Sequence, residues 1–338
     1  MKKRLLIIGA GGFVGGFIAS EGLRRGYDVT VGVRQSTSRS YLTDPALNFL
    51  ILDYDKPELL KRQIADALPA GERWDYVIYN LGATKCRRLD DFDVINCQYL
   101  VNVSEALKQA NRVPERFLFM SSLSAMGPVD EKTYRPITID DEPHPNTRYG
   151  LSKIKAENYL INDSGFDYII FRATGVYGPR EKDYLMMIKS IDGHIDVGMG
   201  YRKQLLTFIY VDDLVGAMFD ALAAGVSRKI YLISEPRAYT QRQFRSLVAE
   251  KLGGRRVLPL KLPMWVVYGV SVLLEKLAAL RGKTSTLNRD KYIIMKQRNW
   301  NADVTPAIRD FGFHADYPLE RGVEETVKAY LASKHKKK

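Results

Sequence analysis

Arg4-Leu-Leu-Ile-Ile-Gly-Ala-Gly-Gly-Phe-Val-Gly15 runs an apolar strand into a glycine-rich turn and then into a helix that continues to Arg25. In that setting the glycines have separate tasks. Gly9 permits the tight turn, Gly12 lets backbone approach a pyrophosphate, and Gly15 allows close packing of helix on strand. Phe13 and Val14 open the helix, whose N-terminus adds free N–H groups and partial positive charge. Outward from this stretch, short apolar runs alternate with amphipathic ones. Strands are expected at 4–9, 28–33, 49–53, 76–80, 116–121 and 168–172, and helices at 12–25, 57–68, 91–110 and 147–162. Strands separated by helices need right-handed crossovers, so the fold class is α/β, a doubly wound parallel sheet of the Rossmann type.

Beyond Gly175-Val-Tyr-Gly-Pro179 the alternation is less regular, with strands expected at 205–211 and 229–233 and helices at 212–224 and 241–252, then an apolar stretch and two short helices. The chain is therefore divided into a nucleotide-binding domain at 1–175, a smaller C-terminal substrate lobe at 176–333, and a basic tail at 334–338. Segments near 205–235 return from the lobe to the sheet. Clefts form where such units meet.

With 338 residues, 46% apolar and 27% charged, the chain can bury a full core. Cys86 and Cys97 offer neither a disulfide framework nor a zinc spacing, and the four histidines form no ligand pair, which implies a reducing cytoplasm and no structural metal. The net charge of +12 includes four charges from the Lys334-His-Lys-Lys-Lys338 tail, and the rest is interspersed with acids and unaccompanied by a nucleic-acid motif. Nucleic-acid binding is set aside, and a homodimer is compatible with the composition. The stretch 262–280 holds an apolar run interrupted by Glu275 and Lys276, too short to cross a bilayer. It reads as a buried or cleft-covering helix, with peripheral contact on a membrane surface as the alternative.

The remaining chemistry falls at strand carboxyl ends, where such sheets bind ligands. The second strand ends in Val31-Gly-Val-Arg34 with no acid for ribose hydroxyls, and Arg34 suits a 2′-phosphate, so NADP(H) is favoured over NAD(H). Asp53 closes the third strand with Tyr54 next to it, Asn80-Leu-Gly-Ala83 ends the fourth, and Ser121-Ser122-Leu-Ser-Ala-Met-Gly127 comes at the end of the fifth. Tyr149 and Lys153 then share a helix face, where the ammonium is expected to lower the phenol's pKa from ~10. Tyr292/Lys296 and Tyr330/Lys334 repeat the spacing, so position has to decide.

In register through Gly9–Gly15, Asp53, Asn80–Ala83, Asn96, Ser122, Tyr149–Lys153, Arg172–Pro179 and Phe208–Asp213, the chain resembles an extended short-chain dehydrogenase/reductase of the NAD-dependent epimerase/dehydratase superfamily. The resemblance implies an enzyme in which Tyr149 is the acid/base, Lys153 tunes it and grips the nicotinamide ribose, and Ser122 hydrogen-bonds the reacting oxygen. It also implies that Leu81, Gly82, Ala83, Ala173 and Val176 help to cradle the cofactor, and that Asn96 helps to hold the site together.

For the substrate the departures matter. Leu205-Leu-Thr-Phe208 stands where many nucleotide-sugar members carry an arginine for a substrate phosphate, with Arg202 and Lys203 nearby but out of register. The strand ending at Arg34 is similar to that of dihydroflavonol reductases, and the late apolar helix to that of 3β-hydroxysteroid dehydrogenases. Thr84, Ser124, Met126, Tyr184, Met186 and Met187 are candidate pocket residues. The expected activity is hydride transfer between NADP(H) and a secondary alcohol or ketone of a small, apolar, ring-bearing substrate. The alternatives are a nucleotide-sugar epimerase or dehydratase with tightly bound NAD(P), and a cofactor-binding sensor without turnover.

Overall fold

A computed structural model of the chain describes residues 2–282, 284, 285 and 287–335. The central strands of its sheet are buried on both faces, which is why they read as unbroken apolar runs. Along β1 (Arg4–Ile8), Leu5 and Ile7 enter the core on one side of the sheet and Leu6 and Ile8 the core on the other, the period of two expected of a strand. Helix α1 (Phe13–Arg24) follows, then β2 (Asp28–Val33), β3 (Asn48–Ile51), α2 (Pro57–Asp66) and β4 (Tyr76–Tyr79). A single helical run then comprises α3 (Asp91–Asp93), a π-helical turn at Val94–Gln98, and α4 (Tyr99–Gln109). Next come β5 (Arg116–Ser122), a 3₁₀ turn at Leu123–Ala125, α5 (Arg148–Asn162) and β6 (Tyr168–Ala173).

After β6 the chain forms β7 (Gly175–Tyr177), α6 (Lys182–Asp192), β8 (Ile195–Met199), β9 (Phe208–Tyr210), α7 (Val211–Ala223) and β10 (Lys229–Ile233). It ends with α8 (Gln241–Lys251), β11 (Leu258–Leu262), α9 (Met264–Leu280), α10 (Arg289–Lys296), α11 (Thr305–Phe311) and α12 (Leu319–His335). The main sheet has seven parallel strands in the order β10-β6-β5-β4-β1-β2-β3, the doubly wound arrangement expected from the sequence. Strand order reverses between β1 and β4, and the crevice outside their carboxyl ends is where such sheets take ligands.

The second half departs from expectation in places. The strand expected at 205–211 is shorter, because Leu205 and Leu206 make only isolated bridges, to Asn299 and Tyr239. Two parallel pairs, β7 with β9 and β8 with β11, were not foreseen. Three helices follow α9 rather than two short ones, and the last has 17 residues. An aromatic core of Tyr177, Phe208, Tyr210, Tyr239 and Phe244 packs with Val323 and Val327 of α12. No described helix is long and apolar enough to cross a membrane.

Candidate active site

The glycine turn is built by steric necessity. Gly9 has φ +85°, and a side-chain carbon there would stand 2.6 Å from the Leu81 backbone nitrogen, so β1 and the turn after β4 touch backbone to backbone. Gly15 similarly faces the Gly9 carbonyl. Gly12 differs: its added carbon would meet nothing closer than 3.7 Å, so space lies open before the α1 N-terminus. Phe13 and Val14 rest with their side chains against the core. Thr174, at the end of β6 between Ala173 and Gly175, has a buried hydroxyl with no hydrogen-bond partner among the described residues. An open N-terminus at one end of the crevice and an orphan hydroxyl at the other fit an extended, phosphate-bearing dinucleotide.

Along this crevice Arg34 is exposed and has no ion-pair partner among the described residues. Its charge offsets part of the rise that burial imposes on the Tyr54 and Tyr99 hydroxyls. Tyr54 is buried, its hydroxyl donating to the Gly32 carbonyl at 3.4 Å. Asp53 is paired with Lys56 at 2.9 Å, which holds its carboxyl below the ordinary value. Leu81 packs on the core while Gly82 is exposed.

On the far side, Thr147 accepts from the Gly150 N–H at 2.9 Å and caps α5. Asp290, from α10, accepts from the N–H groups of Arg148 at 3.2 Å and Tyr149 at 3.1 Å. Three orphan donors of the first turn are thereby satisfied, one locally by Thr147 and two by Asp290 from 141 and 142 residues away in the chain. A side-chain carbon on Gly150 would sit 2.2 Å from the Ser124 carbonyl oxygen, so only glycine lets α5 approach the turn after β5 this closely. That approach brings Tyr149 to Ser122, whose hydroxyl is near enough to the phenol to favour its ionised form. Ser122 Oγ also accepts from the Ser124 N–H at 3.2 Å.

Lys153, one turn on, is buried and donates to the Met120 carbonyl at 2.8 Å. A side-chain carbon on Gly82 would stand 3.0 Å from Lys153 Nζ and 3.1 Å from Asn96 Oδ1, so both polar groups border the exposed glycine. Asn96 lies in the π-helical turn, fully buried. It accepts from the Ala83 N–H at 2.7 Å and donates to the Ala83 carbonyl at 3.1 Å and to Ser152 Oγ at 2.9 Å. Ser152 in turn donates to the Tyr149 carbonyl at 2.7 Å. The crevice loop after β4 is thus tied to the helix that carries Tyr149.

One expectation is corrected. Burial pushes the Tyr149 phenol up to about 12, with the neighbouring Ser122 hydroxyl pulling the other way, and Lys153 does not lower it. The ammonium lies 6.0 Å from the centre of the Tyr149 ring and is directed to the Met120 carbonyl. Burial instead pulls Lys153 down to about 8, partly opposed by Glu157. The ligand-free chain should therefore show a lysine titrating near pH 8 rather than at 10.5, protonated below and neutral above. NMR of reductively methylated lysines, with Lys153→Met to assign the signal, checks this, and a midpoint at 10.5 would contradict it.

The expected pocket residues do not all converge. Met126 is 0% exposed, and its sulfur accepts from Arg172 Nη1 at 2.7 Å, so it is core and lines no pocket. Ser124 is nearly buried, whereas Thr84 is exposed in the crevice. Tyr184 joins the aromatic core, and its hydroxyl lies against Gly175, beside Val176. Met186 and Met187 face solvent. The expected cleft-covering helix turns its apolar side outward, with Trp265, Leu273 and Leu280 exposed. Sequence reading missed Asp290, and also a charged clasp in which Lys85 and Lys291 donate to Asp183 at 2.7 and 3.0 Å. Burial works to raise that carboxyl, but the two lysines outweigh it and hold it below its ordinary value.

Residues 5–234 match the model of the NAD dependent epimerase/dehydratase family. Among curated relatives, the UDP-glucose 4-epimerase of Vibrio cholerae is 24% identical, covering 99% of this chain and 98% of that protein. The dTDP-4-dehydrorhamnose reductase of Mycolicibacterium smegmatis is 25% identical over 67% of this chain and 62% of its own. Among solved structures, the UDP-glucose 4-epimerase of Thermotoga maritima with UDP-glucose superposes with a TM-score of 0.78 at 20% identity, covering 98% of this chain and 99% of that one. The Bordetella bronchiseptica enzyme WbmG in complex with NAD gives 0.77 at 19%, covering 98% and 95%. With most of the sheet inside the matched residues, the chain belongs to the NAD-dependent epimerase/dehydratase family.

Proposed function

We propose that the chain catalyses NAD(P)-dependent hydride transfer at a carbinol carbon of a nucleotide sugar. The observation that carries this reading is the meeting of Ser122, Tyr149 and Lys153 beside exposed Gly82, near a charged clasp of Lys85, Asp183 and Lys291. Cofactor would lie along the turn from Gly9 to Gly15, with Arg34 at its adenosine end and Lys153 at its ribose end; when bound, it supplies the carbon that gives or takes the hydride. The protonated Tyr149 phenol donates its proton to the oxygen of a ketone and recovers it in the reverse direction. Ser122 hydrogen-bonds that oxygen as negative charge develops. The phenolate that results would draw the Lys153 ammonium, one turn away, from the Met120 carbonyl toward itself, and Asn96 keeps the loop after β4 in register with α5.

For the substrate, a diphosphate would compete with Asp183 for Lys85 and Lys291 through charge-assisted hydrogen bonds. The names of the relatives, UDP-glucose 4-epimerase and dTDP-4-dehydrorhamnose reductase, agree with such a substrate. The second reading, a reductase of an apolar ring-bearing ketone, is favoured by Leu205-Leu-Thr-Phe208, which lacks the arginine. It loses support from buried Met126 and from the outward face of α9. Binding and turnover of UDP- and dTDP-hexoses, measured beside steroid and flavonoid ketones with NADPH, separate the two. Saturable binding of a nucleotide sugar is expected, and turnover of the ketones alone would overturn the proposal.

NADP(H) is favoured over NAD(H) because Arg34 is exposed, unpaired among the described residues and unaccompanied by an acid on β2 after Asp28. Arg34→Ala is expected to narrow the difference in affinity between NADPH and NADH by ~1–3 kcal/mol. Titration of both nucleotides by fluorescence checks this, and equal affinities in the unmodified chain would refute it.

A further inference from the structure

We infer that the outer face of α9, together with the β8–β11 ribbon leading into it, docks on the surface of an anionic lipid bilayer. Within α9, Val267 and Ser271 are buried one turn apart and mark the stripe that faces the protein. The opposite stripe should be polar in a helix bathed by water. It instead carries Trp265, Leu273 and Leu280, which are 76%, 57% and 84% exposed. In the ribbon, Ile195 stands opposite Leu258 and Val197 opposite Leu260, and residues paired in this way share a face. All four are exposed. Single apolar residues on a surface need no explanation, but a run of them along a ribbon and the helix that follows it marks a contact surface.

Charge identifies the occupant. Residues 255–291 contain eight lysines and arginines against two acids within a chain of net +12; Arg255, Arg289 and Lys291 are paired with Asp192, Glu275 and Asp183, whereas Arg256, Lys261, Lys276 and Arg281 are exposed and make no ion pair among the described residues. A second copy related by a two-fold axis would set these unpaired cations against their own copies, which like-charge repulsion disfavours. Anionic headgroups are complementary to it. The helix has 17 residues and is not long enough to span, so it would lie in the interfacial plane with Trp265 at the headgroup level. Lys276, on the exposed side, suits that depth because its stem tolerates apolar surroundings while its ammonium stays in water.

The test uses the full chain and sedimentation with vesicles of phosphatidylcholine alone or mixed with phosphatidylglycerol, at low and high salt. Binding to the anionic vesicles is expected, weakened by salt. Leu273→Glu/Leu277→Glu should reduce it by about tenfold or more. Tryptophan emission should shift to the blue on binding and fail to do so in Trp265→Ser, an exposed change that leaves folding intact if the glutamate pair does not. Absence of binding to anionic vesicles, binding unaffected by either variant, or a dimer that the glutamate pair converts to monomer would each overturn the proposal.

Discussion

Tyr149→Phe is expected to lower turnover by at least about 100-fold, the low end for losing a positioned proton-transfer group, while leaving the fold and NAD(P) affinity nearly unchanged. The substitution removes the hydroxyl alone. The ring keeps its packing against Phe92, 6.4 Å away between centres, and the backbone keeps its hydrogen bond to Asp290. The first turn of α5 therefore stays where it is, and the effect reports the proton. Steady-state kinetics beside a nucleotide-binding titration distinguish chemistry from binding. Tyr292→Phe is the control, because that ring packs on Tyr268 at 5.2 Å, outside the crevice. Equal damage from Tyr292→Phe would mean that position had been misread.

Arg172→Met is expected to destabilise the fold by about 3–5 kcal/mol, the cost of leaving a buried carboxylate without its partner. Glu157 is 0% exposed and Arg172 4%. The guanidinium donates to the carboxylate at 2.6, 3.1 and 3.2 Å, and the Ser121 hydroxyl donates to it as well. The pair lies where α5 meets β5 and β6, with side chains 5% and 0% exposed. Urea unfolding with an unchanged slope and a lower midpoint checks it. Removing both charges in Arg172→Met/Glu157→Leu should recover much of the loss, since the uncompensated charge and not the missing contact is the larger cost. A single-variant loss below about 1 kcal/mol would show that the pair is worth no more than a surface bridge.

The parallel sheet was legible because its central strands sit between two apolar layers, so no polar residue interrupts runs such as Leu5-Leu-Ile-Ile8. Only end positions moved, by one or two residues. The ribbon was illegible for the opposite reason. Leu258-Pro-Leu-Lys-Leu262 has a proline inside it, which argues against a strand unless the strand lies at an edge, and β11 pairs with β8 alone. The π-helical turn carries no local signature, although Asn96 inside it was readable as a residue that holds the site together. Asp290 was beyond reach, because its partners are backbone N–H groups and nothing in its neighbours Asn288 or Lys291 indicates them. Lys153 was placed correctly on the face of Tyr149, yet its effect on the phenol depends on where the ammonium points.

Strand β10 is made of residues 229–233 yet lies at the edge of the main sheet, beside β6, after the chain has left to build β7, α6, β8 and β9. During synthesis the nucleotide-binding half therefore emerges with one border unfinished. Until residue 233 has left the ribosome, β6 presents an unsatisfied row of amides and carbonyls along the side that Lys229–Ile233 will occupy. The main sheet is completed only when part of the second half has emerged, so the two halves share one sheet and one border.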